Sequence, residues 1–428
     1  MNPIVAKITH LFGHDFARLI GGSAFVFLFR ITGAISVYLT QVVIARWLGA
    51  EQLGVYVYAF SWLIMLAVLT GVGLPAACYR FLGHAIAHEQ NGVVRGYVRR
   101  SGQILISVSI VACLVIAALV YSVPGLVDEH YRLAVVIGAL SAPVMALISL
   151  RNSIAQAFSW IDISVIPHDA ARPFGFLLVL MLLWQFAPQA SIYTVLVVQF
   201  FAMLITLVVV TRLLSKRMNR IVGHPEPVYE TRRWLRGASP LLIIMLVSGY
   251  FSEVNMIIAG SWLTPEELAV FNAAFRTAFM VGFGITAVDA MSMPKAARQF
   301  AAGEREALQR TLGHAAMLKF LGALLALFIF VLTGPWILGL FGEGFEAGLT
   351  PMLILALAMM IIAGTGSVSE LLSIGGHQDH PLYVFTAAFF VLIALHALLI
   401  PTYGLIGAAT AVLLTVLIAV AGLAAMLE

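Results

Sequence analysis

Long apolar runs alternate with short polar breaks along almost the whole chain. A helix that crosses a bilayer needs about 20 predominantly apolar residues, and twelve runs meet this length. The first six predicted spans lie near 20–46, 54–79, 102–123, 132–157, 164–187 and 190–213. The other six lie near 238–261, 267–292, 314–334, 350–374, 381–400 and 404–426. Turn residues such as Ala187-Pro188 and Tyr403-Gly404 mark the breaks between them.

The longest polar break, at 215–237, predicts a linker between an N-terminal six-helix bundle (1–214) and a C-terminal one (238–428). The composition agrees with this pattern, because 61% of the 428 residues are hydrophobic and only 10% are charged. Soluble proteins carry about 25% charged residues. The sequence therefore predicts an all-α polytopic membrane protein that also contacts membrane lipids.

Basic residues are distributed unevenly between the two predicted sides of the membrane. Twenty of the 24 Lys and Arg residues fall at the termini or in and beside the loops that follow even-numbered spans. The opposite side holds Arg46 and Arg132, and the remaining two, Arg30 and Arg276, fall well inside spans. Lys and Arg accumulate on the cytoplasmic side of membrane proteins. We therefore expect both termini in the cytoplasm and, given only two cysteines, a bacterial inner-membrane protein.

A short repeat appears at matching places in the two halves. The segment WLGAEQLGVY at 47–56, between spans 1 and 2, is followed by WLTPEELAVF at 262–271, between spans 7 and 8. Tryptophan and acidic helix starts are common at membrane interfaces, so chance similarity is the alternative. The equivalent placement favours duplication, with parallel halves related by an axis along the membrane normal.

Catalytic patterns are absent from the sequence. It contains no G-x-x-x-x-G-K-[ST] phosphate loop and no polar segment long enough for a soluble catalytic domain. We therefore expect no enzyme activity, no catalytic residues, no cofactor, no metal and no nucleic-acid partner.

Two arginines inside spans are the leading candidates for substrate binding. A charge at the bilayer centre costs about 2.5–3.5 kcal/mol on insertion scales, so such residues face a cavity or a partner. The forked guanidinium suits phosphate recognition. Arg30 in span 1 and Arg276 in span 8 thus indicate an anionic, phosphate-linked ligand. The alternative is structural pairing with an internal carboxylate, either Glu253 or Glu370.

Three carboxylates are candidates for ion coupling or gating. Glu253 in span 7 can either take up protons in a coupled cycle or act as a fixed counter-ion for an arginine. Asp289 and Glu370 approach the predicted cytoplasmic ends of their spans. For those two, a gate ion pair or a hydrated mouth is the favoured interpretation.

Several motifs in order resemble a known family of transporters. They are Ile44-Ala45-Arg46-Trp47-Leu48-Gly49 with Gly54 and Tyr56, Gly71-Val72-Gly73-Leu74, Ala269-Val270-Phe271-Asn272-Ala273-Ala274-Phe275-Arg276, Phe341-Gly342-Glu343-Gly344-Phe345, and Tyr403-Gly404-Leu405-Ile406-Gly407-Ala408-Ala409. On these motifs, the chain resembles the polysaccharide-type flippases of the multidrug/oligosaccharidyl-lipid/polysaccharide exporter (MOP) superfamily. Twelve spans favour its O-antigen or exopolysaccharide branch.

This resemblance implies two six-helix bundles around a central cavity that opens alternately to either side. The implied substrate is an oligosaccharide on undecaprenyl pyrophosphate, and H⁺ or Na⁺ is the implied coupling ion. In related lipid II flippases, arginines on spans 1 and 8 line the cavity, which matches the places of Arg30 and Arg276 here. We expect a monomer that can contact polysaccharide-assembly proteins.

Other transporter classes fit less well. A cation-coupled multidrug exporter on the same scaffold would favour intramembrane carboxylates over arginines, because its drugs are usually cationic. A major-facilitator transporter would carry a G-x-x-x-D-R-x-G-R-R-like loop after span 2, where this chain has Arg80-Phe81-Leu82-Gly83-His84. A glycan polymerase or ligase would need a large exterior loop, which the sequence lacks.

Overall fold

The protein consists of long helices, and no β-strand occurs among the residues that the structure describes. The structure is a computed structural model that describes residues 14–123, 127–365, 368 and 379–426. The helices up to the middle of the chain are α1 His14–Leu48, α2 Ala50–Thr70, α3 Leu74–Ala87, α4 Asn91–Ser122, α5 Glu129–Ala157, α6 Ile161–Val165, α7 Arg172–Phe186 and α8 Ile192–Ile221. Those that follow are α9 Thr231–Ile244, α10 Phe251–Ala259, α11 Pro265–Phe279, α12 Val281–Ala301, α13 Arg305–Gly339, α14 Leu349–Gly364 and α15 Asp379–Ala425.

Ten segments of the described chain are long and apolar enough to cross a membrane. One of them, Pro381–Ala425, has 45 residues. Gly404 inside it adopts non-helical angles, φ 52° and ψ −128°. This confirms the break predicted at Tyr403-Gly404. The seventh predicted span, 238–261, falls on an interrupted helix and is not among the ten. The all-α polytopic class is confirmed, whereas the count of twelve spans stays a prediction.

The second predicted span is shorter than its apolar run. Helix α2 ends at Thr70 rather than near residue 79. The chain then turns through Val72 and Gly73, both with positive φ. Helix α3 starts at once with Pro75 in its first turn, where a missing N–H costs nothing. The predicted end of span 2 was wrong because an apolar run can continue across a turn between two helices.

The chain forms two compact units, each made of several segments. Unit 1 comprises Met1–Val43, Leu66–Ser122 and Val136–Leu242. Unit 2 comprises Ile44–Met65, Val123–Val135 and Ile243–Glu428. The predicted bundle boundaries at 214 and 238 stay predictions.

Within unit 1, the segment predicted as a linker is packed rather than free. Trp234 of α9 is buried, with its ring edge-on to Tyr97 of α4 at a centroid distance of 5.0 Å. A Cβ atom on Gly73 would lie only 2.1 Å from the carbonyl oxygen of Ala238, so the turn before α3 closely approaches α9. The linker helix therefore belongs to the packed core of unit 1.

Within unit 2, the two copies of the repeat touch each other. A Cβ atom on Gly54 would lie 1.8 Å from the carbonyl oxygen of Pro265, so only glycine allows this approach. Thr264 and Glu267 form a reciprocal capping box that starts α11. Arg46 donates to the carbonyl oxygens of Leu340 at 2.7 Å and Gly339 at 2.5 Å. These carbonyls belong to the end of α13, where helices leave acceptors unpaired.

Candidate functional site

Arg30 contacts an acidic residue within unit 1. Its Nε atom lies 3.4 Å from Oδ2 of Asp169, while Oδ1 of Asp169 lies 2.6 Å from Nδ1 of His168. The Arg30 side chain is 58% exposed and that of Asp169 is 24% exposed. Asp169 is therefore shared between two groups, and more than half of the Arg30 side chain remains exposed.

Asp169 lies in a local irregularity of the fifth predicted span. Residues Ile166–Ala171 form a π-helical segment between α6 and α7. Such segments are rare and occur frequently at functional sites. A Cβ atom on Gly33 would lie 1.6 Å from the carbonyl oxygen of Asp169. Helix α1 thus packs against the π-helical segment without any intervening side chain. Arg30 is almost one turn before Gly33, so the same contact brings its guanidinium to the carboxylate.

Arg276 contacts Glu253 within unit 2. Its Nη2 atom lies 3.5 Å from Oε1 of Glu253. The two side chains are 29% and 13% exposed, so this pair is more enclosed than that of Arg30. The Nε atom of Arg276 is buried and has no hydrogen-bond partner in the described part of the chain. The guanidinium therefore keeps donor capacity beyond its contact with Glu253.

In the Arg276–Glu253 pair, each charged residue lies at the end of a helix. A π-helical segment, Met245–Gly249, separates α9 from α10, and Glu253 lies in the first turn of α10. Arg276 lies in the last turn of α11. A carboxylate near a helix N-terminus and a cation near a C-terminus each gain about 0.3–1 kcal/mol from the helix dipole. The breaks therefore place each charge of the pair near a helix end.

Further polar atoms lie next to Glu253 in sequence. Ser252 Oγ and Asn255 Oδ1 are buried and lack hydrogen-bond partners among the described residues. The Asn255 amide nitrogen donates to the carbonyl of Phe251 at 2.7 Å. Buried polar atoms are normally paired, so this segment retains hydrogen-bonding capacity that water or a ligand can use.

Asp289 also contacts a cation. Its Oδ1 lies 2.9 Å from Nζ of Lys319, whose side chain is only 1% exposed. The contact is of the kind expected for a gate ion pair, although the gating role itself stays a prediction. Lys319 was expected among the basic residues at the cytoplasmic side, and its burial shows that it also serves as a structural partner. Glu370 lies outside the described residues.

The sequence interpretation missed Asp169 and His168, and it did not identify Lys319 as the partner of Asp289. Arg276 pairs with Glu253, one of its expected alternatives, whereas Arg30 pairs with Asp169, which was not considered. A signal for Asp169 was visible, because acidic residues inside an apolar run normally have a function or a partner. Pro167 and Pro173 on either side also indicated irregular backbone.

More than half of the chain matches a known protein family. Residues 19–288 match the family described as polysaccharide biosynthesis protein. The chain belongs to this polysaccharide biosynthesis protein family. No curated protein sequence matches it.

Solved structures with a similar fold belong to the MOP superfamily. An inward-facing multidrug resistance MATE family transporter of that superfamily has 14% identity and a TM-score of 0.73, covering 93% of this chain and 96% of its own. The lipid II flippase MurJ, in an inward closed conformation, has 15% identity and a TM-score of 0.74, covering 94% and 87%. A MOP superfamily transporter from Pyrococcus furiosus has 14% identity and a TM-score of 0.59, covering 93% and 94%. This polysaccharide biosynthesis family member therefore has the MOP fold and is a multi-pass membrane protein.

Proposed function

We propose that the protein is a flippase for a lipid-linked oligosaccharide. It moves an undecaprenyl-pyrophosphate-linked glycan from the cytoplasmic to the outer leaflet of the bacterial inner membrane, by alternating access, for cell-surface polysaccharide synthesis. Membership of the polysaccharide biosynthesis family supports a glycan substrate. The likeness to the fold of MurJ and MATE transporters supports transport. The distribution of Lys and Arg supports cytoplasmic termini.

The incomplete pairing of Arg30 and Arg276 is the observation that carries this proposal. Each belongs to a long apolar helical segment and contacts one carboxylate, Arg30 at 3.4 Å and Arg276 at 3.5 Å. A guanidinium has five N–H donors, and one carboxylate at these distances engages few of them. A pyrophosphate offers more charge and more acceptors than a carboxylate. Both arginines are therefore suited to exchange their carboxylate partner for the phosphates of the substrate.

The same exchange offers a route to ion coupling. When phosphate engages Arg276, Glu253 loses its counter-charge and becomes free to bind a coupling ion. We propose Glu253 as the leading coupling residue, with H⁺ as the favoured ion over Na⁺. Asp289 and Glu370 are gate candidates, and the contact of Asp289 with Lys319 supports a gate ion pair over an ion-binding role.

The competing function is a cation-coupled multidrug exporter, which the likeness to MATE transporters keeps open. Cationic drugs would need a carboxylate that is not already neutralised. In the described spans, Asp169, Glu253 and Asp289 each lie within 4 Å of a basic side chain. This pairing favours an anionic substrate.

Replacing the arginines tests the proposal. In cells that depend on this gene, Arg30→Ala and Arg276→Ala should each lower surface polysaccharide at least about tenfold, since a charge-assisted contact contributes about 1.5–3 kcal/mol. The matched control is Arg220→Ala, an exposed arginine at the end of α8. Membrane levels of all variants are compared by immunoblot. Normal surface polysaccharide in both arginine variants contradicts the proposal, and proton-driven ethidium efflux by the purified protein in vesicles would support the exporter instead.

A further inference from the structure

A cleft lies between α12 and α13, away from both arginine pairs in sequence. Its volume is about 460 Å³. Helix α12 contributes Ser292, Lys295 and Gln299, and helix α13 contributes Arg310 and His314. Residues three and four apart share one face of a helix. The cleft is therefore lined by two polar stripes that face each other from neighbouring helices.

The charge of the cleft is positive. Lys295, Arg310 and His314 line it, and the lining found in the described structure contains no Asp or Glu. Nη2 of Arg310 lies 3.7 Å from Glu306, but both side chains are highly exposed. Exposed pairs of this kind contribute at most about 1 kcal/mol. Arg310 can therefore turn towards an anion in the cleft.

Two buried polar atoms on the same wall have no partner. Ser292 Oγ and Gln299 Oε1 are buried without hydrogen bonds to any described residue. Leaving such an atom unpaired costs about 1–3 kcal/mol. Gln299 Oε1 can only accept a hydrogen bond, so the partner that it lacks is a hydroxyl or N–H group. A ligand that carries both phosphate and hydroxyl groups would satisfy the cations and these atoms together.

The rim of the cleft is apolar. Met291 and Leu318 line it and are largely exposed. The Asp289–Lys319 ion pair directly follows the lining residues Val288 and Leu318 in sequence. The basic residues of the cleft belong to the loop predicted to be cytoplasmic. A ligand with an anionic head and an apolar tail from that leaflet fits this arrangement.

We propose that the cleft binds the headgroup of an anionic glycerophospholipid of the cytoplasmic leaflet. Lys295, Arg310 and His314 contact the phosphate, and Ser292 and Gln299 contact headgroup or glycerol hydroxyls. The acyl chains follow the apolar rim. A lipid bound there would span α12 and α13 and stabilise the packing of these two helices.

Lipid-dependent thermal unfolding of the full purified chain tests this proposal. Phosphatidylglycerol, phosphatidylcholine and inorganic phosphate are added separately to detergent-solubilised protein. Phosphatidylglycerol at saturating concentration should raise the melting temperature by about 4 °C. Phosphatidylcholine and inorganic phosphate should each give less than about half of this shift, because each lacks one part of the ligand.

Two variants test whether the shift of the melting temperature arises from binding in the cleft. Lys295→Gln with Arg310→Gln should remove at least half of the phosphatidylglycerol shift, and Ser292→Val should reduce it without a change of charge. The matched control, Lys216→Gln with Arg220→Gln, removes one Lys and one Arg from the exposed end of α8 and should keep the full shift. Equal loss in the control means non-specific attraction and overturns the proposal. A full shift in both cleft variants, or an equal shift with inorganic phosphate, also overturns it.

Discussion

The Arg30 and Arg276 pairs have the same chemistry but different surroundings. Arg30 extends from an uninterrupted helix, α1, to a carboxylate in a π-helical segment, and that carboxylate also contacts His168. Arg276 lies at the end of one helix and contacts a carboxylate at the start of another. Both sites include a π-helical segment, but the Arg30 site also depends on the close approach of α1 at Gly33, whereas both charges of the Arg276 site lie at helix ends.

This difference has a consequence for how easily each arginine can change partner. Arg30 is twice as exposed as Arg276, at 58% against 29%, and its carboxylate has a second partner. Arg276 is more enclosed, and helix dipoles favour both members of its pair. We therefore expect Arg30 to exchange Asp169 for another anion readily, and Arg276 to remain with Glu253 until a stronger anion arrives.

The largest loss of stability is expected at the contact between Gly33 and Asp169. Gly33→Ala places a methyl group 1.6 Å from a carbonyl oxygen, so α1 and the π-helical segment must separate. Overpacking of this kind costs about 3 kcal/mol. Unfolding followed in mixed micelles should show this loss, together with loss of surface polysaccharide. Gly284→Ala in α12 is the control, because nothing lies within 4 Å of its Cβ position. Equal stability of the two variants would show that the helices do not touch in this way.

The next largest loss of stability is expected for the replacement of Glu253, and it should exceed the loss for Asp169. Glu253→Ala leaves Arg276 enclosed without a counter-charge, which should cost about 3 kcal/mol. Asp169→Asn keeps an oxygen for the His168 contact and leaves an arginine that is already mostly exposed, so we expect a cost of about 1 kcal/mol. The same unfolding experiment measures both variants. A larger loss for Asp169→Asn would reverse the proposed difference between the sites.

Lysine substitutions distinguish phosphate recognition from simple charge. Lysine keeps the positive charge but loses the forked donor geometry. Arg30→Lys and Arg276→Lys should therefore lower export about tenfold, or about 1.4 kcal/mol, while stability stays within about 0.5 kcal/mol of the parent protein. Surface polysaccharide and unfolding are measured on the same preparations. Full export by both lysine variants would indicate that charge alone suffices and that phosphate geometry is unimportant.

The smallest effect concerns the start of the helix that carries Arg276. Thr264→Ala removes the hydroxyl that accepts a hydrogen bond from the Glu267 backbone, at a cost of about 1 kcal/mol. Export should remain near normal, because Arg276 lies at the other end of α11. Thr264→Ser, which keeps the hydroxyl, is the control. A marked loss of export in Thr264→Ala alone would show that the repeat has a direct role in transport.

The sequence predicted the helical class and the break at Gly404, and it gave Glu253 as one of two alternative partners of Arg276. These follow from local patterns, because runs of apolar residues, turn dipeptides and isolated charges in apolar runs all have direct energetic meaning in a bilayer. The sequence interpretation did not recover Asp169 as the partner of Arg30. Their pairing joins residues 139 positions apart, and it depends on where a π-helical segment shifts the register of a helix.

By itself, the sequence determined which segments are helical and membrane-compatible, and which few charges need a partner inside them. Hydrophobicity is summed along the chain, so it can be read without knowing the fold. Only the tertiary structure decided which carboxylate meets which cation, that the two repeat copies touch at Gly54, and that Lys319 is buried against Asp289. Such choices depend on distances of a few ångströms between helices, and these are set by packing at positions such as Gly33 rather than by local pattern.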